Sequence, residues 1–429
     1  MADIIRKTRS VCPVCLENIS AQLTRDNDGR VYLEKECDKH GQFRVPIWRG
    51  KMDFESWVQY STPLEGRDGC SCPQNCGICP EHEVESCCVL LEVTRRCNLR
   101  CKFCFAEGGG EESDLSLEVL KESIDDIVRQ CGQPLLQLSG GEPTLRDDLP
   151  ELVRYAKEAG CSYVQINTNG IRLAEDENFA KKLAEAGNDI IFLQFDGTTD
   201  EIYEALRGKP MLETKLKAIE VCSNLRMGVT LVPTVVRGIN DQNLGELITL
   251  AKSLVPGVSG IHFQPVSYFG RYPDIPEEEQ RYTLDQLMCD ISDQASIPME
   301  SFMPSRCDHP LCGFHGNYLV TPAKELRPLS SITHSAKSRG CAKDNREYVA
   351  RNWKRAPEET RPENIFDEEM DFDAFLYCIR HSSLTLSAMA FQDAMNLNIE
   401  RLHRCSLHVY SDGKVKPFCA NYLTSMGEV

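Results

Sequence analysis

The sequence predicts an α/β fold: a partial (β/α)6 TIM-like barrel with Cys-rich metal-binding extensions at both ends. Three observations carry this. Six short apolar segments alternate with helix-period segments between residue 88 and about residue 266, which is the pattern of a parallel sheet with right-handed crossovers. The 429-residue chain contains 22 cysteines, many of them closely spaced. Those cysteines concentrate before the alternating stretch, just after its first strand, and again near the end of the chain.

Residues 1–69 are irregular. Cys12-Pro-Val-Cys15 forms a knuckle-like turn, a strand pattern follows at 31–33, and Cys37-Asp-Lys-His40 makes a second turn. Two such turns joined by strands predict a small module held by metal, since apolar burial alone would not fold it. Residues 70–87 hold Cys72-Pro-Gln-Asn-Cys76-Gly-Ile-Cys79, with Cys87 and Cys88 close behind as sources of a fourth thiolate. That set suits a fully ligated iron–sulfur cluster, with zinc as the competing reading.

The barrel strands are expected at 89–93, 135–138, 163–166, 190–195, 227–232 and 260–263. Helices are expected at 115–128, 148–159, 178–186, 212–225 and 244–254. Ligands should sit at the C-terminal ends of the strands. Cys97, Cys101 and Cys104 follow the first strand in a Cys-x3-Cys-x2-Cys loop, suited to three corners of a [4Fe–4S] cluster whose fourth iron keeps a free position. Gly140-Gly141-Glu142-Pro143 ends the second strand; the glycines permit close backbone approach, and Glu142 offers a carboxylate to an ammonium group. Beyond residue 266 the alternation is lost. A Pro- and Glu-rich linker at 272–280 leads to a C-terminal domain, 267–429, carrying Cys307, Cys312, Cys405 and Cys419.

Composition narrows the function classes. The net charge of −17 argues against a general electrostatic grip on nucleic acid or anionic lipid. The N-terminus lacks the apolar core of a signal peptide, and no apolar run approaches the ~20 residues of a transmembrane helix. The expectation is a cytoplasmic, reduced-compartment protein, touching a membrane surface only transiently.

The three-cysteine loop after strand one, followed by Gly-Gly-Glu-Pro after strand two, resembles the radical S-adenosylmethionine (SAM) superfamily. The resemblance implies a [4Fe–4S] cluster on Cys97, Cys101 and Cys104 with SAM on its fourth iron. Phe103 would lie near the adenine, and Glu142 with the Gly140–Gly141 backbone would hold the methionine ammonium. Among the strand-end residues, Asn167, Gln194, Thr230 and Gln264 are candidate SAM or substrate contacts. A low-potential reductant such as ferredoxin or flavodoxin is implied as partner.

Cys72–Cys79, Thr94-Arg-Arg-Cys97 and the tail segments Ala388–Met395, Glu400–Cys405 and Asp412–Asn421 resemble one subfamily. It contains archaeal tetraether lipid synthases and the enzymes that methylate 6-hydroxymethyl-dihydropterin. That narrower resemblance implies two auxiliary [4Fe–4S] clusters, one on Cys72, Cys76, Cys79 and Cys87 and one on Cys307, Cys312, Cys405 and Cys419. It also implies a mononuclear iron on Cys12, Cys15 and Cys37, where zinc has the same tetrahedral demands; His40 is preferred over Cys70 as fourth ligand. The leading expectation for the reaction is C–C bond formation between lipid alkyl chains. Methylation or other modification of a pterin-like small molecule is the alternative, and a non-enzymatic electron carrier the third reading.

Overall fold

The computed structural model describes residues 3–58, 72–73, 77–79, 82–110, 114–305, 307–329, 341–366 and 370–427. Cys70 and Cys76 lie outside the described residues. The N-terminal module is a four-stranded antiparallel sheet in sequential order: β1 (Asp3–Val11), β2 (Asn18–Arg25), β3 (Val31–Cys37) and β4 (Gly41–Trp48). Its own core is small, centred on Leu23, Leu33, Val45 and Trp48, so the two turns at its end need another fastening.

Six parallel strands follow where the alternation places them: β5 (Cys88–Thr94), β6 (Leu135–Gly140), β7 (Tyr163–Thr168), β8 (Ile190–Gln194), β9 (Gly228–Val232) and β10 (Val258–Pro265). Amphipathic helices cover the outside. In Leu117–Cys131, for example, Ser116 Oγ accepts from the Val119 N–H, Gly132 ends the helix at positive φ, and Leu120, Ile124 and Ile127 are buried at helical spacing.

The sheet does not stop at residue 266. The remainder of the chain returns to both of its edges. β11 (Phe314–Val320) and β12 (Ser383–Ala388) extend it beyond β10, with β12 parallel to β10. β13 (Leu407–Ser411) pairs in parallel with β5 on the opposite edge, and β14 (Lys414–Pro417) pairs antiparallel with β13. Residues 267–429 therefore contribute to the barrel sheet as well as to a Cys-bearing extension, which the short segments 383–388 and 407–411 do not announce.

The antiparallel module is docked on the C-terminal residues by polar contacts. Buried Lys35 Nζ donates to Ser10 Oγ at 3.0 Å and to the Ala394 carbonyl at 2.7 Å. Arg6 pairs with Glu400, and Asp285 accepts from the Arg49 and Lys51 N–H groups. Among the described residues no helix is long and apolar enough to cross a membrane.

Candidate active site

A cavity of about 300 Å³ lies within the barrel and reaches from Cys88 and Leu135, at the starts of β5 and β6, to the C-terminal ends of the strands. Cys97, Cys101 and Cys104 all line it, together with Phe103, Gly140, Gly141, Glu142, Asn167, Gln194 and Gln264. Local contacts fix the cysteine loop. Arg271 exchanges backbone hydrogen bonds with Cys104, and its Nε donates to the Cys101 carbonyl at 2.9 Å. Asn169 Nδ2 donates to Asn98 Oδ1 at 2.7 Å, tying the loop to the end of β7. Burial pushes the Cys97 thiol up to about 11.

The glycine turn is packed directly on this loop. A Cβ at Gly141 would stand 2.1 Å from the Arg96 carbonyl oxygen, immediately before Cys97. At Gly140 a Cβ would meet the Thr94 carbonyl oxygen at 2.2 Å, with φ also in the positive range. No larger residue fits either position without moving the cysteine loop.

Glu142 is almost completely buried, and the protein itself occupies much of its carboxylate. Oε1 accepts from the Thr144 N–H and from the Thr144 and Thr168 hydroxyls; Oε2 accepts from the Asn169 N–H at 2.7 Å. Glu142 thus ties the β6 turn to the end of β7. Oε2 retains room for one further donor.

A buried ionic group underlies the mouth. Arg207 donates Nε and Nη2 to the two Asp196 oxygens at 2.7 and 2.6 Å, with Asp196 fully buried. Burial opposes the Arg207 charge, yet Asp196 outweighs it and raises the pKa, with Cys101 adding to the effect. Lys215 Nζ donates to the Asn169 carbonyl and to Gln194 Oε1. Burial pushes Lys215 down to about 7. Asp196 is one of the polar residues at a strand end in the sequence, whereas Arg207 and Lys215, both on helices, gave no signal there.

Thr230 departs from expectation. It is fully buried and outside the cavity lining, its hydroxyl 3.5 Å from Ser259 Oγ, while its register partner Phe192 lines the cavity at that level. The inward-facing polar residues that the sequence reading passed over are Gln137 and Gln165. Their signal was a glutamine recurring at an alternate position inside otherwise apolar strands.

At the N-terminal module Cys12, Cys15, Cys37 and His40 present ligand atoms all within 4.8 Å of one another. His40 Nδ1 lies 3.4 Å from Cys12 Sγ and 3.5 Å from Cys37 Sγ; Cys15 and Cys37 are 4.0 Å apart. These separations suit a tetrahedral ion with three thiolates and one imidazole. Backbone N–H donation from Lys39 leads the lowering of Cys37 to about 7, which favours the ligating thiolate.

The remaining thiols regroup. Cys72 and Cys79 lie 3.9 Å apart, and the described residue gathered with them is His403. Cys87, expected there, is held by the start of the β5 ladder: its N–H donates to the Ser406 carbonyl, and its Sγ accepts from Asn345 Nδ2 at 3.2 Å. It neighbours Cys307, whose Sγ donates to the Cys341 carbonyl. Cys312, Cys405 and Cys419 influence one another electrostatically, with Arg401 donating to Cys312 and the Gln392 N–H to Cys419, though their sulfurs do not all lie within 4.8 Å of one another. Of the expected set of Cys307, Cys312, Cys405 and Cys419, Cys307 has Cys87 and Cys341 as its thiol neighbours.

Known proteins resemble the chain both over its barrel and over its N-terminal module. The radical SAM superfamily model matches residues 91–251, and the HMPTM N-terminal zinc ribbon domain matches residues 4–49. The 7,8-dihydro-6-hydroxymethylpterin dimethyltransferase of Methanocaldococcus jannaschii is 31% identical over 96% of this chain and 92% of its own length. The Fe-coproporphyrin III synthase of Methanosarcina barkeri is 34% identical over 47% of this chain and 50% of its own. Among solved structures, Streptococcus suis SuiB aligns at a TM-score of 0.42 and 15% identity, covering 49% of this chain and 46% of SuiB.

Proposed function

The chain belongs to the radical SAM superfamily, in the family of the Methanocaldococcus jannaschii pterin dimethyltransferase, and from that premise we propose that it modifies a pterin-like heterocycle by radical methylation. The observation that carries this reading is similarity to that enzyme along nearly the whole of both chains, zinc ribbon included. When bound, a [4Fe–4S] cluster with SAM supplies the electron and the 5′-deoxyadenosyl radical that removes hydrogen from a substrate carbon.

This chain's own residues supply positions and shielding. Cys97, Cys101 and Cys104 hold the cluster, and the Gly140–Gly141 backbone with Glu142 Oε2 receives the methionine ammonium. Phe103, set edge-on to Tyr268, borders the adenine. Asn167, Gln194 and Gln264 face the cofactor or substrate, and Lys215 fixes the Gln194 amide. The largely apolar lining of the cavity disfavours water at the reacting centre. Cys72, Cys76 and Cys79, and the set Cys312, Cys405 and Cys419, are the thiolates for two auxiliary clusters, while the four-ligand site at Cys12 holds zinc or iron. A low-potential reductant of the ferredoxin or flavodoxin type delivers the electron.

Joining of alkyl chains for lipid biosynthesis is the second reading. It is supported by one apolar wall of the cavity, built from Phe105, Phe269, Phe391 and Phe418. The two readings separate in one anaerobic assay with reductant, SAM and 7,8-dihydro-6-hydroxymethylpterin. The expected result is 5′-deoxyadenosine together with a methylated pterin, and loss of both in Cys101→Ala. Turnover only with an isoprenoid or acyl lipid would overturn the pterin reading; cleavage persisting in Cys101→Ala would overturn the SAM site.

A further inference from the structure

Below the level of the glycine turn the cavity changes character. Gln137 and Gln165 are register partners on β6 and β7 and both line it. Gln165 Nε2 donates to Gln137 Oε1 at 3.2 Å and, more weakly, to Asn167 Oδ1 at 3.4 Å. Flipping the amide would set oxygen against oxygen, so these contacts fix its orientation. Gln165 is 1% exposed, and its Oε1 has no hydrogen-bond partner among the described residues. A buried amide oxygen left in that state is unfavourable, so a ligand donor that reaches it gains a full hydrogen bond.

The facing wall is aromatic. Phe192, the register partner of Asn167, packs with His262 and Trp353 at ring-centroid distances of 5.3–5.6 Å, and all three line the cavity. Trp353 comes from helix Ala342–Trp353, far along the chain. Burial holds His262 down at about 4, and its Nδ1 is engaged with Ser387 Oγ, so the ring is neutral.

We infer that this deeper half of the cavity is the ring-recognition pocket. Gln165 Oε1 accepts from an N–H or exocyclic amino group of a flat nitrogen heterocycle, and the Phe192–His262–Trp353 wall lies against its face. Amide edges and neutral rings suit an uncharged, polar-edged π system; an alkyl chain would leave the glutamine oxygen unpaired. This rests on the pterin reading above and adds to it the residues that discriminate the ring. Gln165 is a specificity residue that SAM does not need.

The test is calorimetric titration of the reconstituted enzyme with 7,8-dihydro-6-hydroxymethylpterin, with and without SAM. Gln165→Met keeps the side chain's length and removes the acceptor; Trp353→Leu removes the ring face and Trp353→Phe restores one. The expected result is pterin binding that persists with SAM present, at least about tenfold weaker in Gln165→Met and Trp353→Leu and near normal in Trp353→Phe, with SAM affinity unchanged throughout. Unchanged pterin affinity in both weakening variants would overturn the inference and leave the pterin reading standing. Competition between pterin and SAM would assign the pocket to adenine and also overturn it. Failure of the unsubstituted enzyme to bind pterin, with uptake of a lipid instead, would remove the reading itself.

Discussion

Gly141→Ala isolates the packing of the glycine turn on the cysteine loop. Gly141 has no positive φ, so the added methyl acts through space alone. Its Cβ would lie 2.1 Å from the Arg96 oxygen and 2.7 Å from the Arg95 oxygen, where 3.0 Å is the practical limit. Both are backbone atoms, so relief requires the segment entering Cys97 to move by roughly 1 Å. That movement strains the Gly141 N–H bond to Thr94 and the Glu142 N–H bond to Arg96, each 2.8 Å long. Overpacking of about 1–3 kcal/mol, plus about 0.5–1.5 kcal/mol for each hydrogen bond, gives a cost of about 2–6 kcal/mol. At an unfolding entropy of about 2.1 cal/mol/K per residue over 429 residues, each kcal/mol lowers Tm by roughly 1 °C. The measurement is Tm of the metal-free chain by calorimetry, with iron and sulfide content after anaerobic reconstitution. A fall of roughly 2–6 °C, with iron lost from the site that cleaves SAM, is expected. An unchanged Tm with full reconstitution would refute the close-approach reasoning.

Two further outcomes are expected. Removing the imidazole in His40→Ala should weaken metal binding at the N-terminal module by at least about 100-fold, measured by chelator competition; normal affinity there, with loss in Cys70→Ser, would transfer the fourth ligand to Cys70. His262, depressed from 6.5 to about 4, is neutral when folded, so its contribution is present above pH 6.5 and lost as pH falls toward 4. That is worth about 3 kcal/mol across the window, and His262→Gln should flatten the pH dependence of urea unfolding by a comparable amount; an identical slope would show that His262 titrates normally.

The barrel was legible because parallel strands buried on both faces read as apolar runs, and the helices between them keep a 3.6-residue period. The cysteine trio was legible because its ligands fall within eight residues, and His40 because it shares a turn with Cys37. Legibility failed where sequence-distant segments meet. Cys87 was placed with Cys72 and Cys79 through the subfamily resemblance, yet the described residue gathered with that pair is His403, from the far end of the chain, and Cys87 neighbours Cys307. Trp353 gave no signal, since nothing local marks a tryptophan at a helix end as a wall of a distant barrel. Gln165 did give one: a polar residue at an inward position of a buried strand.

The parallel pairing of β13 with β5 has a consequence for how the molecule is made. β5 leads directly into the cysteine loop, and among the described residues its outer edge is paired by the segment that runs from Ser406 into β13, about 320 residues later in the chain. During synthesis that edge stays open until almost the whole described chain has emerged, presenting unpaired N–H and C=O groups beside the three cysteines of the loop. Iron–sulfur loading before the tail arrives would act on an unfinished sheet. Deletions that remove residues 407–417 should therefore harm solubility and cluster content together, although they lie far in sequence from Cys97.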